Sequence, residues 1–359
     1  MSKTKSQEWQ VLADLGIQIG HMAPGNFNAI TDVDGVRVGH VTLVRGAVVR
    51  TGVTAILPHG GNLFREKVEA AVYVINGFGK SVGLPQIMEL GNIESPILLT
   101  GTLNVWRVAD AVVNVLSEQN PGVYSFNPVV CECNDGFLND ALRRPVGREH
   151  VFQAIRQARS GPIAEGNMGA GTGMSGFGFK AGIGTASRRL PEEAGMFTSG
   201  VLVLTNTGAP GALRIDGIPV GKALAAGASE QEKAEPHHPQ DGSIIIVAAT
   251  DAPLSSRQLK RVAKRAAFGL ARTGAVAAHG SGDFVLAFST TTRSTSEVRE
   301  RIPEERLTEF FQATIEATEE AIIRSMLKAE TMVGREGHIR ERIPVEEVAR
   351  MVRKYREMR

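Results

Sequence analysis

Apolar positions along the chain fall into two alternating kinds of run. Short, nearly continuous runs predict strands: "TAILP" (54–58), "AAVYVING" (70–77), "SPILLTGT" (95–102), "PVVCECND" (128–135), "SGVLVLTNTGAP" (199–210), "SIIIVAAT" (243–250) and "DFVLAFST" (283–290). Between them apolar residues recur with helical period in "GLPQIMELG", "LNVWRVADAVVNVLSEQ", "EHVFQAIRQAR" and "SSRQLKRVAKRAAFGLARTG". Val105, Val108, Val112, Val115 and Leu116 make one such stripe. Leu307, Phe310, Phe311, Ile315, Ile322, Met326 and Leu327 predict another on a long helix, and Val345, Val348, Val352 and Tyr355 a narrow one near the C-terminus. The strand that starts at Ser243 is apolar at odd and even positions alike, so it belongs inside a sheet covered on both faces. Strands and helices alternate on both sides of residue 243, and nothing marks two independent units. A single domain built as a layered α/β/β/α sandwich, of the α+β class, fits this order. Residues 221–242 have no period and read as a surface loop.

Composition narrows the picture. Of 359 residues, 42% are apolar but only 5% aromatic, so the core must be aliphatic. Lys and Arg number 40 against 38 Asp and Glu, which gives no general drive toward nucleic acid or an anionic membrane. No 18-residue apolar run predicts a transmembrane helix, and the first 20 residues lack a signal-peptide core, so cytoplasmic residence is the expectation. The two cysteines, Cys131 and Cys133, share a strand face and are poorly placed to bridge each other. They read as small buried hydrophobes, and no metal site is expected.

Candidate chemistry collects where strands meet loops. "GNMGAGTGMSGFGFKAGIGTASR" (166–188) is dense in glycine but meets neither the dinucleotide nor the phosphate-loop fingerprint. Its other reading is a backbone that passes close to a reacting centre. Asn206 ends a strand in "TNTG", as a turn former or as an amide donor to an oxyanion. Ser281 and Asp283 in "HGSGDF" are two apart on an extended chain, so they share a side. They form either a turn cluster or a hydroxyl backed by a carboxylate. Glu132 stands between the cysteines in an apolar strand, where a carboxylate is unfavourable unless paired. Its partner is either an internal cation, Arg143 or Arg144, or one that arrives with a substrate. Gly242-Ser243, at the mouth of the most apolar strand, is an ordinary loop boundary or a point where the chain is cut.

Taken in order, these stretches resemble the DmpA-like L-aminopeptidase/D-esterase-amidase family, which includes the β-peptidyl aminopeptidases. The resemblance runs over essentially the whole chain. Besides the Gly-dense stretch it is carried by "PGNFNAITDVDGVRVGH" (24–40), "GFGKSVGLPQIMELGNIESPILLTGTLNV" (77–105), "ECNDGFLND" (132–140), "LTNTG" (204–208), "DGSIIIVAATDAPL" (241–254), "HGSGDF" (279–284) and "ETMVGREG" (330–337). It implies an N-terminal-nucleophile-type hydrolase whose αββα connectivity differs from the better-known members. The precursor would cut itself between Gly242 and Ser243 into an α chain, 1–242, and a β chain, 243–359, which assemble as homo-oligomers of αβ pairs. The resemblance makes Ser243 the nucleophile, Asn206 an oxyanion donor, Ser281 and Asp283 a supporting pair and Glu132 the contact for a substrate amine. Relatives can carry Glu where this chain has the shorter Asp283. They can also carry an aromatic residue where it has Asn134, which alters the wall of the substrate pocket. The implied substrates are small peptides, amides or esters, with no cofactor. A self-processing acyltransferase of the ornithine acetyltransferase type is the rival, although those enzymes use threonine as nucleophile.

Overall fold

The apolar runs become two stacked sheets with helices on their outer faces. The computed structural model describes residues 12–227, 242–291 and 300–358. In chain order the N-terminal half contains β1 (Arg37–Arg45), β2 (Val49–Leu57), β3 (Val68–Gly77), α1 (Leu84–Leu90), β4 (Asn92–Ile93), β5 (Ile97–Gly101), α2 (Val105–Gln119), β6 (Val129–Cys133) and α3 (Arg148–Arg156). It continues through β7 (Ser175–Gly176), β8 (Phe179–Lys180), β9 (Ile183–Arg189), β10 (Thr198–Asn206) and α4 (Val220–Gly227). After residue 242 come β11 (Ser243–Thr250), α5 (Ser256–Arg272), β12 (Gly282–Ser289), α6 (Leu307–Leu327), β13 (Met332–Val333), β14 (Ile339–Arg340) and α7 (Val345–Glu357).

Strands β1-β2-β5-β6 form one sheet and β4-β3-β12-β11-β10-β9 the other. Three apolar layers separate the elements. Val53, Leu98 and Val130 pack under Val105, Val108 and Val112 of α2 and Val151 of α3. Ile56, Leu99, Cys131 and Cys133 meet Leu202, Leu204, Ile245 and Val247 between the sheets. Ile244 and Ile246 face the third layer, with Leu259 and Val262 of α5 and Phe310 and Ile322 of α6. Strand β11 therefore alternates between two cores, as its unbroken apolar run requires. It pairs antiparallel with β10 and parallel with β12, the latter reached through the α5 crossover. The layered αββα architecture predicted from the pattern is the observed one. Both cysteines are free and fully buried, and burial pushes the Cys131 thiol up to about 12. Among the described residues no helix is long and apolar enough to cross a membrane.

The differences from the pattern have physical reasons. Strand β9 lies inside the Gly-dense stretch, where no apolar run marks it. Its Thr185, Ser187 and Arg188 are buried because each is bonded, not because they are apolar. Helix α4 occupies the start of the stretch read as an irregular loop, and residues 228–241 lie outside the described ones. Helix α6 is buried nearly all round rather than along one stripe. Phe311, Ile315 and Leu327 are only half-buried, whereas Glu316, Glu319 and Glu320 are buried.

Those carboxylates are paired. Arg188, 1% exposed, donates to Glu316 at 3.0 Å and Glu320 at 2.7 Å, and its remaining donors reach Ser187 O and Ile19 O, each at 2.8 Å. Glu316 also accepts the N–H groups of His21 and Met22, both at 3.1 Å. Asn28 bridges Glu320 and the Ser187 N–H, and Asp32 accepts from Phe27, Ala29 and Ser187. The stretch "PGNFNAITD" is thus a clasp that ties the N-terminal segment to β9 and α6. Arg188→Met removes the cation of buried Glu316 and leaves Glu320 only Arg324, 3.8 Å away. It is expected to destabilise the fold by about 3–5 kcal/mol, read from urea unfolding. A change below about 1 kcal/mol would mean that the network is not a fastening.

Candidate active site

Three strand ends converge on Ser243. Asn206, the last residue of β10, is its antiparallel partner, and Gly282, the first of β12, its parallel one. Ser243 is 6% exposed and stands on the face of β11 that carries Ile245 and Val247, at the end of the layer between the two sheets. Its Oγ donates to the Gly242 carbonyl oxygen at 2.6 Å and accepts the Gly282 N–H at 3.2 Å. The hydroxyl is thus held against the peptide bond that precedes it. Gly242 lies outside the left-handed region, so backbone conformation does not demand glycine there. A Cβ there would sit 3.1 Å from Thr207 Oγ1 and 3.3 Å from Thr207 Cα, a close fit that Thr207 would have to ease by a few tenths of an ångström.

Asn206 is oriented from two sides. Its Oδ1 accepts the Ser175 N–H at 2.9 Å and its Nδ2 donates to Asn134 O at 3.0 Å. Turning the amide over would set donor against donor and acceptor against acceptor, so the assignment is fixed by its neighbours. Nδ2 carries a second N–H, the group an oxyanion would need.

Asp283 anchors the same corner. Its Oδ1 accepts the Ser281 hydroxyl at 2.7 Å and the Ile244 N–H at 3.1 Å, while the buried Oδ2 has no hydrogen-bond partner among the described residues. The shorter acidic side chain therefore still reaches Ser281. Burial raises the Asp283 pKa above the ordinary carboxylate value. The group that touches the Ser243 hydroxyl from this segment is the Gly282 N–H between the pair, not Ser281.

Glu132 is 3% exposed and accepts the Lys80 N–H at 2.9 Å. The internal cations are engaged elsewhere: Arg143 pairs with Asp140 at 2.9 Å, and Arg144 donates to Leu103 O at 2.9 Å. Among the described residues Glu132 makes no ion pair. The segment that carries Lys80 runs beside the nucleophile's corner, since Phe78 N donates to Ser281 O at 3.3 Å. The Asn134 side chain is exposed and accepts the Gly136 N–H at 2.9 Å, while its backbone carbonyl holds Asn206.

The Gly-dense stretch supplies what single-residue reading missed. A Cβ on Gly171 would lie 2.5 Å from Gly166 O, so the backbone does fold closely on itself, and Ser175 presents its N–H to Asn206. Lys180, the one charged residue in 166–184, is fully buried, and its Nζ donates to Gly171 O at 3.0 Å and to Ala181 O. A lone charge in a Gly run is the signal that could have found it.

The fold and this corner define a serine aminopeptidase of an N-terminal-nucleophile variant. Residues 28–340 match peptidase family S58, and the chain belongs to that family. It is 43% identical to the β-peptidyl aminopeptidase BapA of Sphingosinicella microcystinivorans, over 96% of this chain and 92% of that one. Among solved structures, the PH0078 protein of Pyrococcus horikoshii OT3 is 49% identical with a TM-score of 0.88, covering 96% of this chain and 99% of that chain. The L-aminopeptidase D-Ala-esterase/amidase of Ochrobactrum anthropi, described as a prototype serine aminopeptidase and a new variant of the Ntn hydrolase fold, is 35% identical with a TM-score of 0.89, covering 98% and 100%. The chain is an aminopeptidase, and these likenesses favour that activity over acyl transfer.

Burial lowers the Lys180 pKa from 10.5 to about 7. Between those values the unfolded chain binds the extra proton, so this group makes stability rise with pH, and its penalty is complete below about 7. Relative to Lys180→Met, the wild type is expected to gain stability from pH 6.5 to 8.5, at up to about 1.4 kcal/mol per pH unit. A pH-independent difference in urea midpoints would show the amine to be unperturbed.

Proposed function

We propose that the chain cuts itself between Gly242 and Ser243, and that the freed Ser243 is the nucleophile of an aminopeptidase acting on small peptides, amides or esters. The observation that carries this reading is the Ser243 hydroxyl, held between the Gly242 carbonyl and the Gly282 N–H at the end of a buried central strand. In self-cleavage Oγ attacks the Gly242 carbonyl carbon. The Gly242–Ser243 C–N bond breaks as the hydroxyl proton passes to the leaving nitrogen. Water then hydrolyses the ester and releases the Gly242 carboxylate and the serine hydroxyl. The new α-amine, with an ordinary pKa of about 7.7–8.0, is partly neutral at neutral pH and serves as the base for the next attack.

On a substrate the same oxygen forms an acyl-enzyme that water resolves. The second N–H of Asn206 is suited to the oxyanion, because Ser175 and Asn134 fix the amide before the reaction begins. Asp283 acts through the backbone, holding Ile244 N–H and with it the attitude of Ser243. Glu132 takes the substrate's ammonium. A buried carboxylate with a single backbone hydrogen bond and no internal cation among the described residues is suited to a positive charge that arrives with the ligand. On sequence grounds the two pieces are proposed to stay paired, to assemble as homo-oligomers and to reside in the cytoplasm.

Intact mass under denaturing conditions tests the first step. Wild type should give fragments 1–242 and 243–359, and Ser243→Ala one inactive chain of 359 residues. An uncut wild type that still hydrolyses peptides would overturn the mechanism. Asn206→Ala should lower kcat by about 10²–10³ with little change in KM, as loss of one oxyanion donor does. Steady-state kinetics on the processed protein checks this, and near-normal turnover would return Asn206 to a turn former.

A further inference from the structure

Asn76, near the end of β3, is half-buried and stands beside the reacting corner. Strand β3 pairs antiparallel with β12, and the register shifts between Asp283 and Phe284. Phe284 is paired with Val74 and Asp283 with Asn76, so Ile75 is an extra residue, as in a β-bulge. A bulge re-aims the side chains that follow it. Here the Asn76 amide is turned onto the loop that leads into β12. Its Nδ2 donates to Ala278 O and His279 O, both at 3.0 Å, and to Ser281 O. Three acceptors meet two N–H groups, so one hydrogen bond is shared. Only the nitrogen of the amide can face three carbonyls, which fixes its orientation.

The last of these contacts bears on the nucleophile. Ser281 C=O and Gly282 N–H are the two ends of one planar peptide group. The N–H end donates to Ser243 Oγ at 3.2 Å. The C=O end accepts from Asn76 Nδ2 and, at 3.3 Å, from Phe78 N. A grip on the carbonyl oxygen limits rotation of the whole plane, and hydrogen bonds to that oxygen polarise the N–H toward the hydroxyl. The loop before it needs such a grip. Ala277 has a φ of 48°, in the left-handed region that a residue with a Cβ rarely adopts, and its neighbour Val276 is exposed. Within the loop Ser281 N–H bonds Ala278 O at 2.9 Å, and Asn76 ties both residues to β3.

We infer that Asn76 is a positioning residue: by holding Ser281 O it aims the Gly282 N–H at Ser243 Oγ, for self-cleavage and for turnover alike. The inference rests on the assignment of Ser243 as nucleophile. It is tested in Asn76→Asp, which keeps the shape without the donors, and in Asn76→Leu, which adds no charge beside Asp283. Intact mass over time follows self-cleavage. Turnover is measured per processed chain on alanyl p-nitroanilide, with an α- or a β-alanyl group, whichever the wild type hydrolyses. Counting processed chains means that a variant that folds poorly gives less enzyme, not a slower one. Both variants should cut themselves more slowly and lose at least about tenfold in kcat, with KM within about twofold, as a misaimed group at a reacting centre does. Wild-type kcat in either variant, or a loss confined to KM, makes Asn76 a brace for the loop and overturns the inference. Should neither variant cut itself, a urea midpoint equal to that of uncut Ser243→Ala supports the inference, and loss of the unfolding transition overturns it. Hydrolysis retained by Ser243→Ala overturns the nucleophile assignment, and the inference with it.

Discussion

The pairing of β11 with a strand on each side is the constraint on which the rest depends. Its residues alternate between two cores, so a slip of one position would exchange every side chain between the layers. Burial on both faces therefore locks the register, and the register sets Asn206, Ser243 and Gly282 side by side. Polar groups at this point are affordable only because the strands end here. One residue further in, Ile244 is fully buried and its N–H must find a partner, which Asp283 supplies. The reactive corner thus gathers hydroxyl, amide and carboxylate at strand ends, where backbone N–H groups and loop carbonyls are at hand to bond them.

Much of this was legible in the sequence, for reasons that also explain the rest. A strand such as 243–250 announces itself because both faces are apolar, and α2 because its valines keep one stripe. Strand β9 did not, because Thr185, Ser187 and Arg188 are buried by being bonded to residues far away in the chain. The buried glutamates of helix α6 look like a solvated face in the sequence until Arg188 is placed against Glu316 and Glu320 and Arg272 against Glu319. The site divides in the same way. Ser243, Asn206 and Asp283 were visible as polar residues where apolar runs begin or end, and Glu132 as a carboxylate inside one. The contributions of Gly282 N–H, Ser175 N–H and Asn134 O were not, since any residue type offers a backbone group. Only the folded register decides which of them face Ser243.

The strand order also bears on what a cut at residue 242 would do. In the six-stranded sheet, β3 and β10 precede the cut, and β11 and β12 follow it. Read across the sheet, the pieces alternate as β3, then β12 and β11, then β10 and β9. The C-terminal pair is hydrogen-bonded on both sides to the N-terminal piece, and Arg188 in β9 is ion-paired to Glu316 and Glu320 in α6. Separating the fragments would expose the layer between the sheets, where Ile245, Val247 and Leu286 meet Ile56, Leu99 and the two cysteines. At roughly 1.5–3 kcal/mol for each large aliphatic side chain, those five contacts are of the same order as the freedom that two separate chains would gain, and the strand pairings on both sides and the rest of the buried layers add to them. Breaking one peptide bond at the edge of this sheet would therefore release an amine and a carboxylate beside Ser243 and leave the fold that positions them in place.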